Sequence, residues 1–310
     1  MNLSRLAELL PELLHPQVRD LAWTLLSPPL LNNASAPQRH PLAASRWAEQ
    51  PDELADWLRL LDTQPAMLQA WLEQHNIHRL GLYYERLWQF ALCQAPDVEL
   101  LRANLPIRQD NQTLGELDLI IRDAEGVHHL ELAVKFYLGL EHGDRSRHDH
   151  WLGPGSQDRL DIKLQRICEH QLQICSTACA QSVLSELTCE AIDSAFWLGG
   201  YLFQPWNADP KSPAGANPEH LKGYWLRQRD WPAFLSHHPD TRWQPQPRHV
   251  WLAPARLESA AIWQASDFDN WISEATTRSQ ARLLARMEAD EKAIWTEQER
   301  LFLVPDGWPD

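Results

Sequence analysis

Lysine is scarce in this chain, which has five lysines against 23 arginines in 310 residues. No run of about 18 apolar residues occurs, so we expect no membrane-spanning helix. The first residues include the acidic Glu8 and lack a long apolar core, which argues against a signal peptide. The five cysteines form no Cys-x-x-Cys pair. This favours reduced thiols and a cytoplasmic location.

The formal net charge is −14, which argues against loose binding to nucleic acid, since such binding depends on neutralising phosphates. A nucleic-acid enzyme is not excluded, because a local basic groove or a bound metal can reverse the sign of charge at a site. The segment 145–166 is a candidate for such a groove, and solvated charges on a loop and a helix face are the other interpretation. Its basic residues are Arg145, Arg147, Arg159, Lys163 and Arg166.

Three regions follow from the residue patterns. Residues 1–77 are predicted to be helical, with proline ending or opening successive helices. Residues 78–204 alternate between helical and strand-like periods. Residues 205–310 are predicted to form an extension that packs on the core. It would have short strands at 224–226 and 250–252 and a long helix over 269–300, with Arg278, Arg282 and Arg286 at spacing four.

The middle region, 78–204, predicts a mixed α/β core. The order of elements is helix, three strands, helix and strand, and short connections favour an antiparallel meander. The first helix is apolar around most of its circumference, so it should be buried. The predicted elements are helix 78–94, strands 98–107, 116–121 and 127–138, helix 158–182 and strand 195–203.

Charged residues in these apolar elements are the strongest functional signal. Lys135 lies in an apolar strand, Glu131 falls on the same side of it, and Asp118 lies in the preceding strand. A lone buried charge is costly unless it is paired or bound. The three residues would form an acidic pocket beside one ammonium, suited to a divalent metal and a phosphate. Glu85 in the buried helix needs a metal or a cation, or it forms an ion pair with a nearby arginine.

The order of elements and these residues resemble the PD-(D/E)XK nuclease superfamily, over about 125 residues. The resemblance implies an αβββαβ core and a phosphodiester hydrolase acting on DNA or RNA with Mg²⁺ or Mn²⁺. Asp118, Glu131 and Lys135 would be the catalytic residues, and Glu85 would join Asp118 and Glu131 in binding the metal. Arg159, Lys163 and Gln171 would contact the substrate, with a capping or surface role as the other interpretation of each.

One position departs from the superfamily pattern. An acidic residue usually stands two positions before the lysine, and this chain has Ala133 there. Residues 131, 133 and 135 share a face of the strand, so Glu131 is the candidate acid, displaced by about 7 Å along the strand.

The whole chain also resembles a bacterial family of uncharacterised proteins, domain of unknown function 1853. The likeness implies the nuclease-type fold rather than an activity. It is carried by Val18–Trp23 with Ser27-Pro-Pro, by Gly115–Asp118, by Glu131–Leu138, and by Trp151–Gly155 with His170-Gln-Leu.

Other functions remain open. The serious alternative is a non-catalytic nuclease-like scaffold that binds nucleic acid or a protein partner, with Lys135 in a buried ion pair to Glu131 or Asp118. A histidine-metal hydrolase is another alternative, because six of 14 histidines lie between 128 and 170, although their spacing matches no zinc motif. Cysteine–histidine catalysis has less support, since the cysteines lie in apolar helical segments.

Overall fold

The computed structural model describes residue 6 and residues 8–32, 34, 36–74, 77–110, 112–239, 241–275 and 280–310. These residues form a mixed α/β fold with ten α-helices and ten β-strands. The helices are α1 (Leu9–Glu12), α2 (Pro16–Leu26), α3 (Arg46–Glu49), α4 (Pro51–Thr63), α5 (Ala66–Glu73), α6 (Leu80–Gln94), α7 (Leu160–Glu169), α8 (Ala178–Leu184), α9 (Trp231–His237) and α10 (Ala265–Ala275). The strands are β1 (Glu99–Gln109), β2 (Gln112–Asp123), β3 (Gly126–Gly139), β4 (Trp151–Leu152), β5 (Ile192–Pro205), β6 (Leu221–Arg227), β7 (Arg242–Gln246), β8 (Arg256–Glu258), β9 (Arg282–Ala289) and β10 (Ile294–Val304).

The chain divides into two compact units, and strands β3 and β5 contribute residues to both. The first unit contains Met1–Val134 and Lys163–Gly199. The second contains Lys135–Ile162 and Gly200–Asp310. The division into regions 1–77, 78–204 and 205–310 remains a prediction. None of the helices in the described residues is long and apolar enough to span a membrane.

The first unit begins with helices that proline and acidic residues help to start. Pro16 and Pro51 occupy the first turns of α2 and α4, where a missing N–H costs little. Helix α6 packs against α2, α5 and β1. Tyr84, Leu87 and Trp88 are among its buried residues, as its apolar sequence predicts.

Strands β1, β2 and β3 form the predicted antiparallel meander, and β5 follows β3 in the strand order. The predicted helix over 158–182 is instead interrupted. It consists of α7, a 3₁₀ helix at Gln171–Ser176, and α8, which is capped by the Thr177 hydroxyl accepting from the Ala180 N–H. Ile174 and Cys175 of the 3₁₀ helix pack in one core cluster with Ile120 and Val127.

In the second unit the strand order is β5-β6-β10-β9-β7, with β6 parallel to both β5 and β10. Strand β4 pairs with β3, and β8 pairs with β10. Gly200 has a φ of +131°, and a Cβ atom there would lie 1.7 Å from the carbonyl oxygen of Lys135. This close approach of two backbones requires glycine.

The prediction of a long C-terminal helix is wrong. Helix α10 ends at Ala275, Arg278 lies outside the described residues, and β9 and β10 occupy most of the remaining range. A spacing of four places Arg282 and Arg286 on one face of a helix or of a strand, because four is also twice the strand period. Of the two short strands, 224–226 is confirmed within β6. The segment 250–252 is not a strand, because its first residue ends a 3₁₀ turn, Arg248–Val250, and the next two are irregular.

Candidate active site

Asn104, Asp118 and Glu131 occupy neighbouring positions on β1, β2 and β3. The pairs Ala103–Leu119 and Leu105–Leu117 flank Asn104 and Asp118 in the β1–β2 register. The β2–β3 register pairs Leu119 with Leu130, so the next position along places Asp118 across from Glu131. Side chains at paired positions of adjacent strands project to the same face. The meander therefore forms a row of polar groups within the first unit.

Glu131 is fully buried, with 1% of its surface exposed. Its Oε1 lies 3.0 Å from Nε2 of His129, and its Oε2 accepts a short hydrogen bond from the side-chain amide of Gln171. Burial lowers the pKa of His129, but its hydrogen bonds to Cys175 and Glu131 and the negative charge of Glu131 raise the pKa to about 9. The raised pKa favours the protonated ring of His129, whose Nε2–H then donates to Oε1 of Glu131.

Asp118 accepts a hydrogen bond of 2.8 Å from the backbone N–H of Leu132. Burial, and after it the negative charges of Glu131 and Glu85, raise the pKa of Asp118 to about 8. The Leu132 N–H and the Lys163 ammonium act in the opposite direction. Burial and the nearby carboxylates thus disfavour the ionised form of Asp118.

Glu85 extends the cluster from α6. Its Oε2 lies 3.3 Å from the side-chain amide nitrogen of Asn104, which also lies 3.1 Å from Oε1 of Glu116. Burial raises the pKa of Glu85 to about 7, opposed by the Asn104 hydrogen bond and assisted by the charges of Glu116 and Glu131. The neighbouring Arg86 donates to Gln89, whose amide donates to Asn104 Oδ1.

Lys163 and Gln171 connect α7 and the following 3₁₀ helix to the carboxylates. The ammonium of Lys163 donates a hydrogen bond of 3.0 Å to Oε1 of Gln171, whose amide nitrogen binds Glu131. A glutamine can bridge a cation and an anion in this way because its oxygen accepts and its nitrogen donates. Two of the three residues predicted to contact substrate thus lie with the predicted metal ligands in the first unit.

Lys135 belongs to the second unit, where its ammonium forms an ion pair with Asp158. The Tyr137 hydroxyl donates to the other carboxylate oxygen of Asp158 at 3.3 Å. The Lys135 and Asp158 side chains are 27% and 41% exposed. The partner of Lys135 is therefore Asp158, rather than the Glu131 or Asp118 expected for a buried ion pair.

Arg159, the third predicted substrate contact, pairs with Asp161 through two hydrogen bonds of 2.6 and 2.8 Å. A bidentate pair of this kind fixes the guanidinium plane. In the second unit, His148 bonds through Nε2 to the carbonyl oxygen of Ala214 at 2.8 Å, and this contact accounts for one member of the histidine-rich segment.

Sequence reasoning missed His129, Asn104 and Glu116 as members of the cluster. The sequence could have predicted the place of His129, because it lies two positions before Glu131 and therefore on the same face of the strand. Glu116 lies two positions before Asp118 and was predictable in the same way. No sequence pattern predicts the place of Asn104 in the cluster, since it depends on the pairing of β1 with β2 and on a left-handed backbone with φ 51°.

Fold and cluster together define a mixed α/β protein with grouped carboxylates beside one lysine. Comparison with protein families matches residues 19–304 to the domain of unknown function (DUF1853). Most of the chain is covered, so the chain belongs to this family, as its sequence motifs indicated. Searches of the curated proteins and of the solved structures found no match.

Proposed function

We propose that this chain is a metal-dependent phosphodiester hydrolase, a nuclease-like enzyme on a PD-(D/E)XK-type core that acts on DNA or RNA. The observation that carries the proposal is the cluster of Glu85, Asp118 and Glu131 with Lys163, all within the first unit. The helix α6, the meander β1–β3, the following helices and β5 come in the order that the resemblance implies.

The donor type suits a divalent cation, and binding one would draw these carboxylate oxygens together, because among the described residues the three do not offer ligand atoms within 4.8 Å of one another. Carboxylate oxygens are the ligands that Mg²⁺ and Mn²⁺ prefer. Burial first, and neighbouring carboxylates second, raise the pKa values of Glu85 and Asp118, and a bound cation would offset both effects. Glu85, Asp118 and Glu131 would hold the ion, which when bound would polarise a phosphate and lower the pKa of a water molecule.

The chain's own residues would orient these ligands and the substrate. His129 and Gln171 hold the two oxygens of Glu131, which restricts the carboxylate to one orientation. Lys163 would bind a phosphate oxygen and offset the negative charge that grows on it during cleavage. The resemblance assigns that task to Lys135, and Lys163 competes for it because its charge already acts on Asp118.

A second candidate is a non-catalytic scaffold that binds nucleic acid or a protein partner. Both oxygens of Glu131 are already hydrogen-bonded, and Ala133 stands where the superfamily has its acid. In that case His129, Glu131 and Gln171 would be a buried polar network that specifies the fold. We further propose a cytoplasmic location, supported by five cysteines that are all free thiols.

The test is a cleavage assay on the purified chain with single- and double-stranded DNA and RNA, in Mg²⁺, Mn²⁺ or EDTA. We expect metal-dependent cleavage of at least one substrate, abolished by Asp118→Asn and by Glu85→Gln. Glu99→Gln is the matched control, since Glu99 lies on β1 with a side chain 62% exposed. Circular dichroism and thermal denaturation would check that each variant folds.

Two outcomes would decide against the hydrolase. No cleavage of any substrate by the wild-type chain in either metal excludes the enzyme. Cleavage that survives in Asp118→Asn assigns the activity to another site or to a contaminant. Binding of a nucleic acid without cleavage, unchanged by EDTA, would favour the scaffold.

A further inference from the structure

A second group of possible metal ligands lies in the first unit at the turn between β2 and β3. Asp123 ends β2, Glu125 lies in the turn, and His128 follows on β3. One ligand atom from each residue lies within 4.8 Å of the others. The turn holds Asp123 and Glu125 together, because the Glu125 N–H donates to Oδ1 of Asp123 at 2.9 Å.

His128 supplies an independent observation. Its side chain is 7% exposed, and its Nε2 has no hydrogen-bond partner among the described residues. This nitrogen lies 3.3 Å from Oδ1 of Asp123, in a geometry that does not make a hydrogen bond. Buried polar atoms are nearly always satisfied, so this unpartnered imidazole nitrogen beside the Asp123 carboxylate is available to bind a ligand.

The carboxylates already have one cation. Arg39 places Nη2 at 2.5 Å from Oδ2 of Asp123 and Nη1 at 2.6 Å from Oε2 of Glu125. The guanidinium has no lone pair, so it balances charge but cannot accept from or coordinate an imidazole. Two carboxylates and one guanidinium leave a formal charge of −1 beside His128.

We propose that Asp123, Glu125 and His128 form a binding site for a transition-metal ion of the Zn²⁺ class, in which the ion competes with Arg39 for the carboxylates. One imidazole with two carboxylates is a donor set that Zn²⁺ accepts. Neutral imidazole is the binding form, so the orphan Nε2 becomes a ligand. The ion would displace the Arg39 guanidinium from at least one carboxylate.

The backbone near Arg39 allows this exchange. The Arg39 N–H donates to the carbonyl oxygen of Phe196, and the Phe196 N–H donates to that of Pro37. These backbone bonds attach the segment around Arg39 to β5, and they do not depend on the position of the Arg39 guanidinium. Metal binding therefore requires a side-chain movement of Arg39 and a rotation of Glu125, whose side chain is 62% exposed.

The experiment is Zn²⁺ titration of the full chain by isothermal calorimetry, in an Asp118→Ala background so that the acidic cluster of the proposed enzyme is disabled. We expect one site, lost or weakened at least about tenfold in His128→Gln and in Glu125→Gln. Glu125→Gln changes an exposed turn residue and keeps the test valid if His128→Gln does not fold. His142→Gln is the matched control, because His142 lies near Glu141 with its side chain 93% exposed.

Arg39→Gln tests the competition. We expect tighter Zn²⁺ binding in this variant, and a larger Zn²⁺-induced rise in melting temperature than in the Asp118→Ala parent. Zn²⁺ affinity that is unchanged in His128→Gln and Glu125→Gln would overturn the site. Affinity that falls or stays constant in Arg39→Gln would overturn the competition on which the proposal depends.

Discussion

The ammonium of Lys163 donates a hydrogen bond of 3.0 Å to Oε1 of Gln171, whose side-chain nitrogen bonds to the buried Glu131. A lysine on α7 is thereby connected to a carboxylate on β3 through one amide. This relationship gives the acidic cluster its own cation. It also leads to the first prediction.

Lys163→Ala should reduce metal-dependent cleavage by at least about 100-fold, because removal of a group that stabilises developing charge has costs of this size. Lys163→Arg should retain part of the activity, since it keeps a cation. The measurement is kcat and KM on whichever nucleic acid the wild type cuts. Lys222→Ala is the control, because Lys222 is exposed in the second unit. If Lys135→Ala abolishes cleavage and Lys163→Ala does not, the catalytic lysine is Lys135.

The metal-free protein should lose stability as the pH rises from about 5 to about 8. Burial and neighbouring carboxylates raise the folded-state pKa of Glu85 from 4.5 to about 7 and that of Asp118 from 3.8 to about 8. Folding therefore takes up protons, and the stability present at low pH disappears as the pH rises through these values. For Glu85 alone this corresponds to about 3 kcal/mol.

Urea denaturation in EDTA at pH 5, 6.5 and 8 measures this dependence. Glu85→Gln should flatten the curve, and Mg²⁺ should restore stability at pH 8 in the wild type. Glu99→Gln should keep the wild-type slope. A metal-free protein whose stability is constant over this range would contradict the raised pKa values.

Acid should destabilise the protein through His40. Burial lowers the folded-state pKa of this residue from 6.5 to about 3. Its Nε2 bonds to the Leu25 carbonyl oxygen, its Nδ1 accepts from the Leu42 N–H, and its ring packs edge-on to Trp88. A second proton would remove the Leu42 bond. The unfolded chain binds the proton more readily, so the contribution is complete above pH 6.5 and falls by about 2 kcal/mol at pH 5.

The check is the pH dependence of unfolding free energy in His40→Gln between pH 6.5 and 4. The variant should show a smaller loss than the wild type, while His249→Gln, at an exposed position, should behave as the wild type does. Equal slopes in all three proteins would show that His40 titrates normally in the folded state.

Asp158→Asn should lower the free energy of unfolding by less than about 1 kcal/mol, because the Lys135–Asp158 pair is partly exposed. Chemical denaturation measures the change. A loss of about 3 kcal/mol or more would indicate a buried structural pair instead. Asp158→Asn combined with Lys135→Ala would then show whether the two changes are coupled.

The sequence by itself determined the elements that carry the cluster. Apolar spacing predicted the buried helix α6 and the meander β1–β3, and alternation along β3 put Glu131 and Lys135 on one face. Family membership also followed from its motifs. The prediction of a long C-terminal helix was wrong because arginines at a spacing of four share a face in a strand as well as in a helix.

Only the tertiary structure decided which groups meet. The pairing of β1 with β2 brings Asn104 beside Asp118, the break between α7 and α8 brings Gln171 to Glu131, and Lys135 pairs with Asp158. Local periodicity fixes the direction of a side chain, because it depends on neighbouring backbone angles. The partner of that side chain depends on strand register and helix packing, which are set by contacts between residues distant in the chain.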